Sequence, residues 1–220
     1  MNFELGRTAF YWHNLWKQRF AMVNSMNSQE LTSDAEIREA LHTKRLSHSI
    51  ECPHTLVIDE LGLAHAKSRV DVAVINGSIH GYEIKSEKDT LSRLPFQLET
   101  YEQALEKLTI VCAPRHTASV NKISPDWVGI LEASRGARGG INFRSVQRGR
   151  KNPTVAPEVM AQLLWKPELV KLLTTLGESQ KNTRKTRQKL CERLAELVPK
   201  KELTRQIRET MKLRRNWRDL

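Results

Sequence analysis

Cysteine is scarce: the chain of 220 residues has three, Cys52, Cys112 and Cys191. An odd, widely spaced set implies no disulfide framework, so a reducing compartment is expected, with the cytoplasm as its simplest form. Long apolar runs are missing as well. No stretch approaches the roughly 18 consecutive apolar residues that would cross a bilayer, and a membrane partner is not expected. The aromatic opening MNFELGRTAFYWHNLWKQRF is interrupted by Glu4, Arg7, His13 and Lys17 before the apolar segment of a signal peptide could form. There is no C-x-x-C or H-x-x-x-H pair to suggest zinc, no G-x-S-x-G elbow, no Walker loop and no G-x-G-x-x-G turn. Zinc, serine-nucleophile and nucleotide-fuelled chemistries are therefore poor fits.

What is present is ordinary for a folding chain, with 39% apolar and 28% charged residues. The charge is unevenly placed. Residues 1–147 hold 17 basic and 17 acidic side chains, whereas residues 148–220 hold 19 and 8, so the last third supplies the whole net charge of +11. A basic segment behind a neutral one suits a polyanion, because each phosphate contact releases condensed counterions. A solvated helix surface would read the same way.

The local patterns divide the chain at about residues 30 and 150. Residues 1–30 read as an N-terminal extension with one helical apolar stripe, Trp12, Trp16 and Phe20. Ser33-Asp34-Ala35-Glu36 is a capping-box pattern opening a short amphipathic helix that ends at Lys44 and Arg45. HTLVIDE (54–60) reads as a strand, followed by a connection over 61–68. Val70, Val72 and Val74, then Ile79, Tyr82 and Ile84, flank Asn76-Gly77, a hairpin signal. Leu91, Leu94, Leu98, Tyr101, Leu105 and Leu108 mark one face of a crossover helix with Pro95 near its start. Strands are expected at LTIVC (108–112), WVGILEAS (127–134) and INFRSVQ (141–147). After a basic connection, helical patterns return over 158–176, 183–197 and 201–214, broken at Gly177 and Pro199. The expected domains are thus 1–30, 31–150 and 151–220, the last a basic helical unit suited to nucleic-acid contact.

The hairpin carries the chemistry. Phosphodiester hydrolysis needs a divalent cation, an in-line water and a group that offsets charge. Asp71 stands on the first strand, and Glu83 and Lys85 on the second. Side chains alternate along a strand, so Glu83 and Lys85 share one face while Ile84 points the other way. By the same rule Val70, Val72 and Val74 share a face and Asp71 takes the opposite one. Alternatively, Glu83 and Lys85 are a solvent-facing pair and Asp71 an unrelated surface acid. An isolated E-x-K is expected about once in a chain this size, so its setting across a hairpin, between a capped helix and a helix with a buried strand, has to carry the argument.

In that setting, RVDVAVINGSIHGYEIKSEKDTLSRLPFQLETYEQALEKLTIVCAPRH resembles the core of PD-(D/E)XK nucleases. It is similar in particular to a bacterial and phage subfamily with an EIKS-x-x-DTLSRL-x-x-Q-x-x-x-Y run. The resemblance spans about residues 34–147 and implies an α/β, restriction-endonuclease-like core: a central mixed sheet flanked by helices. It implies that Asp71 and Glu83 bind Mg2+ or Mn2+ with help from the Ile84 carbonyl, and that Lys85 positions the water. Gln97 and Tyr101 match the Q-x-x-x-Y element of RecB-like nucleases and lie on one helix face, although Tyr101 also suits the core. A further metal-ligating glutamate would be Glu36 or Glu60. Val70 stands where the motif's name has proline. Lys88, Arg93, Arg69 and Lys67 flank the site and could hold phosphates.

The expectation is therefore a cytoplasmic, Mg2+-dependent deoxyribonuclease with a phage or mobile-element association. DNA is its partner, and a homodimer is compatible with the reading. A non-cleaving nucleic-acid-binding protein on the same fold, or an RNA-degrading defence or toxin effector, is the alternative.

Overall fold

The computed structural model describes residues 31–64 and 67–214, and from Thr32 onward they form one compact unit. The expected stripe of Trp12, Trp16 and Phe20 lies outside the described residues. Helices α1 (Asp34–Lys44) and α2 (Ser47–Glu51) precede three antiparallel strands, β1 (Leu56–Leu63), β2 (Ser68–Ile75) and β3 (Ile79–Lys85). Helix α3 (Leu94–Ala104) crosses to β4 (Lys107–Cys112), and α4 (Pro114–Ile123) crosses to β5 (Gly129–Arg135). Both crossovers return parallel, and β6 (Ile141–Gln147) closes the edge antiparallel to β5. The outcome is a mixed six-stranded sheet in the order β1-β2-β3-β4-β5-β6, flanked by helices. No described helix is long and apolar enough to cross a membrane.

Local chemistry accounts for most of these elements. Ser33 and Glu36 close the capping box of α1, with the Ser33 amide donating to Glu36 Oε2 at 2.9 Å. Pro95 sits in the first turn of α3, where its missing N–H costs nothing. That helix is shorter than the leucine spacing suggests: Leu91 precedes it, Leu105 caps it and Leu108 belongs to β4. The β1 strand runs on to Leu63, into the expected connection. The β2–β3 loop spans three residues, Asn76 to Ser78, because Ile75 pairs with Ile79.

The sheet separates two apolar layers. Ile37 and Leu41 of α1 cover Val72, Val74, Ile84, Val111 and Leu131 on one face. Leu98 and Tyr101 of α3 pack on the other face with Ala73, Ile75, Ile110 and Ile130. The same inner layer contains Leu169, Leu190, Leu194, Leu203, Ile207 and Met211. They belong to α6 (Lys166–Thr175), α8 (Arg187–Leu197) and α9 (Lys200–Lys212); α5 (Pro157–Met160) and α7 (Gln180–Thr183) are single turns. Residues 151–214 thus complete the sheet's own core, and the boundary expected near residue 150 is no boundary in packing. An ion pair reinforces this: Arg208 meets Glu106 at 2.7 Å, and Glu106 Oε2 also accepts the Ile79 amide at 3.0 Å.

The valines of β2 do not share one face. Val72 and Val74 join the α1 layer, whereas Val70 joins the α3 layer. The break falls at Asp71, opposite Glu60, whose φ of 59° is left-handed. Such a conformation is costly for a residue with a Cβ and reverses the sense of alternation.

His80, stacked on Tyr82 with ring centroids 4.3 Å apart, lies 2.9 Å from Thr109 Oγ1 through Nε2. Burial, and then the Lys107 charge, depress its pKa from 6.5 to about 4. The folded value lies below the unfolded one, so this neutral ring contributes stability above pH 6.5 that is lost as pH falls towards 4. The loss should reach up to about 3 kcal/mol. Denaturant unfolding of wild type and His80→Gln is therefore expected to give a stability difference that shrinks between pH 6.5 and 4; a difference independent of pH would contradict it.

Candidate active site

Beyond the Val72–Tyr82 pair, β2 and β3 are no longer in ladder register. The Ile84 amide donates instead to Asp71 Oδ2 at 2.6 Å, clamping the acid of one strand to the end of the next. Glu83 and Lys85 project from the α3 face, as alternation requires, and Ile84 from the α1 face. Asp71, Glu83, Ile84 and Lys85 line a cleft of about 640 Å³ that Gln97, Glu60 and Asp34 also line.

Glu83 is 1% exposed and Lys85 7%. Lys85 Nζ stands 2.7 Å from Glu83 Oε1, which also accepts the Gln97 amide at 2.8 Å. Tyr101 Oη approaches Glu83 Oε2 at 2.6 Å and the Arg69 carbonyl at 2.7 Å. Gln97 Oε1 returns to Lys85 Nζ at 3.1 Å. Gln97 and Tyr101 therefore both reach the site, and Tyr101 is a core residue at the same time. Burial and the neighbouring Glu83 charge raise the Tyr101 hydroxyl pKa, keeping it a proton donor.

Asp71 behaves differently. Burial first, and then the charge of Glu83, push its carboxyl up from 3.8 to about 7. Its nearby cation is Arg38 of α1, which the sequence reading passed over. Arg38 Nη2 stands 2.6 Å from Glu60, 3.1 Å from Asp34 and 3.4 Å from Asp71, while Nη1 donates to the Asp71 carbonyl at 3.0 Å. The one available sequence signal was the i, i+4 spacing of Asp34 and Arg38. Phe96 was missed too: it is 57% exposed on the wall of the cleft that Arg93 also lines.

Other expected residues divide. Glu60 lines the cleft, as do Lys67, Arg69 and Arg93. Glu36 does not. Its carboxylate closes the capping box and meets Arg135 at 2.6 Å, and that hydrogen bond chiefly lowers its pKa to about 2. Two residues on from Asp34, it faces away around the helix. Lys88 is exposed but does not line the cleft; among the described residues only its amide is engaged, with Ser86 Oγ at 3.3 Å. All the acidic donors are oxygens, the choice of magnesium or manganese rather than of soft metals. Among the described residues no three His, Cys, Asp or Glu side chains already cluster as an ion cage, since Lys85 and Arg38 hold the carboxylates.

The family model described as bacteriophage P4 protein cII matches residues 24–218. The chain belongs to that family. Protein cII of Enterobacteria phage P4 is 37% identical over 121 residues, 55% of this chain and 46% of the relative. The chain thus matches less than half the length of that curated relative, and both findings support the expected phage association. A solved structure, the SPO1766 protein of unknown function from Silicibacter pomeroyi, is similar at 16% identity and a TM-score of 0.42, over 68% of this chain and 94% of that one.

Two consequences of the geometry are measurable. Lys85→Met strands a buried carboxylate and should cost about 3 kcal/mol in urea unfolding. Adding Glu83→Gln should recover part of that loss, because the two charges interact; strictly additive losses would separate them. Asp71 has a folded pKa above its unfolded one, so its contribution is full below pH 3.8 and is lost as pH rises through about 7. In chelator, Asp71→Asn should therefore gain stability relative to wild type as pH rises from 4 to 8, read as a melting-temperature difference that a flat profile would refute.

Proposed function

We propose that the protein is a metal-dependent nuclease that hydrolyses DNA phosphodiester bonds on a restriction-endonuclease-like core. The reading rests on one observation: a β-hairpin delivers Asp71, Glu83 and Lys85 to a single cleft, with Asp71 clamped by the Ile84 amide. The order of α1, a three-strand meander, crossover α3 and parallel β4 is the one that the PD-(D/E)XK resemblance implies, which supports it further.

Asp71 and Glu83, with the Ile84 carbonyl, would hold a magnesium or manganese ion, and Glu60 is the remaining candidate ligand. When bound, such an ion polarises the phosphate and lowers the pKa of a bound water. Lys85 is set to orient the attacking water and offset charge, provided it turns from Glu83 Oε1. Gln97 and Tyr101 fix Glu83 by donating to it, and so position a ligand rather than react. Arg38 would give up its pairing with Asp71 and Glu60 and become available to a phosphate. Arg69, Arg93 and Lys67 are placed on the cleft wall to hold the backbone.

A second reading is favoured by the engaged carboxylates: a nucleic-acid-binding protein of the same fold that does not cut. Incubation with supercoiled, linear and branched DNA in Mg2+, Mn2+ or chelator distinguishes them. Wild type is expected to cleave only with the divalent ion, and Asp71→Asn to lose roughly 100-fold or more of that cleavage while keeping its DNA affinity. Cleavage that survives chelation, or an Asp71→Asn protein as active as wild type, would sink the nuclease reading.

A further inference from the structure

The segment leaving β6 crosses the beginnings of β5 and β4 and is pinned there at several points. Gln147 Nε2 donates to the Val128 carbonyl at 2.7 Å, and the Arg150 amide to the Trp127 carbonyl at 2.8 Å. Asn152 is buried; its side-chain amide donates to the carbonyls of Glu102 and Leu105 at 2.6 and 2.8 Å, and its backbone amide to Glu106 at 2.9 Å. Between these anchors Gly149 lies flat against Gly129. A Cβ on Gly149 would stand 3.1 Å from the Gly129 nitrogen, and one on Gly129 would stand 3.0 Å from the Gly149 nitrogen. A larger residue on either side would have to push the facing backbone back by a few tenths of an ångström.

The backbone is thus fixed, and of the three charges it carries only the Arg150 guanidinium is engaged, donating to the Asp126 carbonyl at 3.3 Å. Arg148, Arg150 and Lys151 are exposed, and among the described residues neither Arg148 nor Lys151 has a side-chain partner. They line a cleft of about 650 Å³ with Asp126. Lys151 also lines an adjoining cleft of about 270 Å³ that Lys200 and Lys201 of α9 complete, both exposed and without a partner among the described residues. Of the two acids nearby, Glu106 is already paired with Arg208. The patch lies at the opposite end of the sheet from the candidate active site. Lys107 begins β4, whereas Cys112 at its end pairs with Lys85, so the two regions are separated by about 17 Å of strand.

We infer that this rigid cationic platform, Arg148, Arg150, Lys151, Lys200 and Lys201, is a second nucleic-acid contact that grips the phosphate backbone without reading sequence. A fixed backbone spares the cost of ordering the chain when a phosphate arrives, leaving only that of the side chains, and each contact displaces condensed counterions. A membrane surface fits less well, because no exposed large apolar side chain stands among the lining residues to enter a bilayer. The inference shares its nucleic-acid partner with the nuclease reading and rests on no other part of it.

The test is fluorescence anisotropy with a labelled 20-base-pair DNA duplex in chelator, titrated with monovalent salt, on wild type, Arg148→Ala/Lys151→Ala, Lys200→Ala/Lys201→Ala and the quadruple variant. Each double variant should bind tenfold or more weakly, with the slope of log affinity against log salt reduced by about two, and with an unchanged melting temperature. Lys181→Ala/Lys185→Ala removes the same charge elsewhere and should bind as wild type. Equal loss in that control, an unaltered quadruple variant, or binding of phosphatidylserine vesicles in place of the duplex would overturn the inference. Absence of cleavage with these binding losses intact would instead count only against the nuclease reading.

Discussion

A carboxylate that is 1% exposed has to be answered by its surroundings, and the answer given to Glu83 organises the middle of this protein. Leaving such a charge unpaired costs several kcal/mol. Here it is met by a cation from its own strand, Lys85, and by two donors one helical turn apart on α3, Gln97 and Tyr101. Tyr101 in turn touches the Arg69 carbonyl, so β2, β3 and α3 are locked to one another through a single anionic group. The geometry of the cleft follows from satisfying that charge.

The second constraint is backbone conformation. Glu60 adopts a left-handed φ of 59° in the middle of β1, directly across from Asp71. Val70 and Leu61 on one side of this pair face the α3 layer, and on the other side the alternation resumes out of step, with Val72 and Val74 in the α1 layer and Ala73, Ile75 and Ile58 in the α3 layer. Asp71 is therefore at the point where neither apolar layer claims it, which is how a carboxyl can remain open to the cleft on so hydrophobic a strand. Strain of this kind persists where the surrounding structure over-determines it.

What could be read from the sequence was what depends on neighbours in the chain. The capping box at Ser33 and Glu36, the period-two strands of the hairpin and the breaks at Gly177 and Pro199 are local, and the structure has them. Convergence of Asp71, Glu83 and Lys85 on one cleft was legible from strand alternation across a short turn. Three things were not. The flip at Glu60 breaks the alternation rule and has no glycine to announce it. Arg38 enters the cleft from a helix that the motif does not include. And the stripes of α6, α8 and α9 say that a face is buried without saying against what, so helices that complete the main core looked like a separate unit.

That shared core has a consequence for biogenesis. Strands β1 to β3 are translated early, yet the apolar layer behind them is finished only by Leu203, Ile207 and Met211 of the last described helix. At ribosomal speeds of about 5–20 residues per second, the uncovered side of the sheet waits several seconds for its lid of helices. Until those helices emerge, α3 and α4 cover only part of that side of the sheet, and the rest of its apolar layer stays open to water.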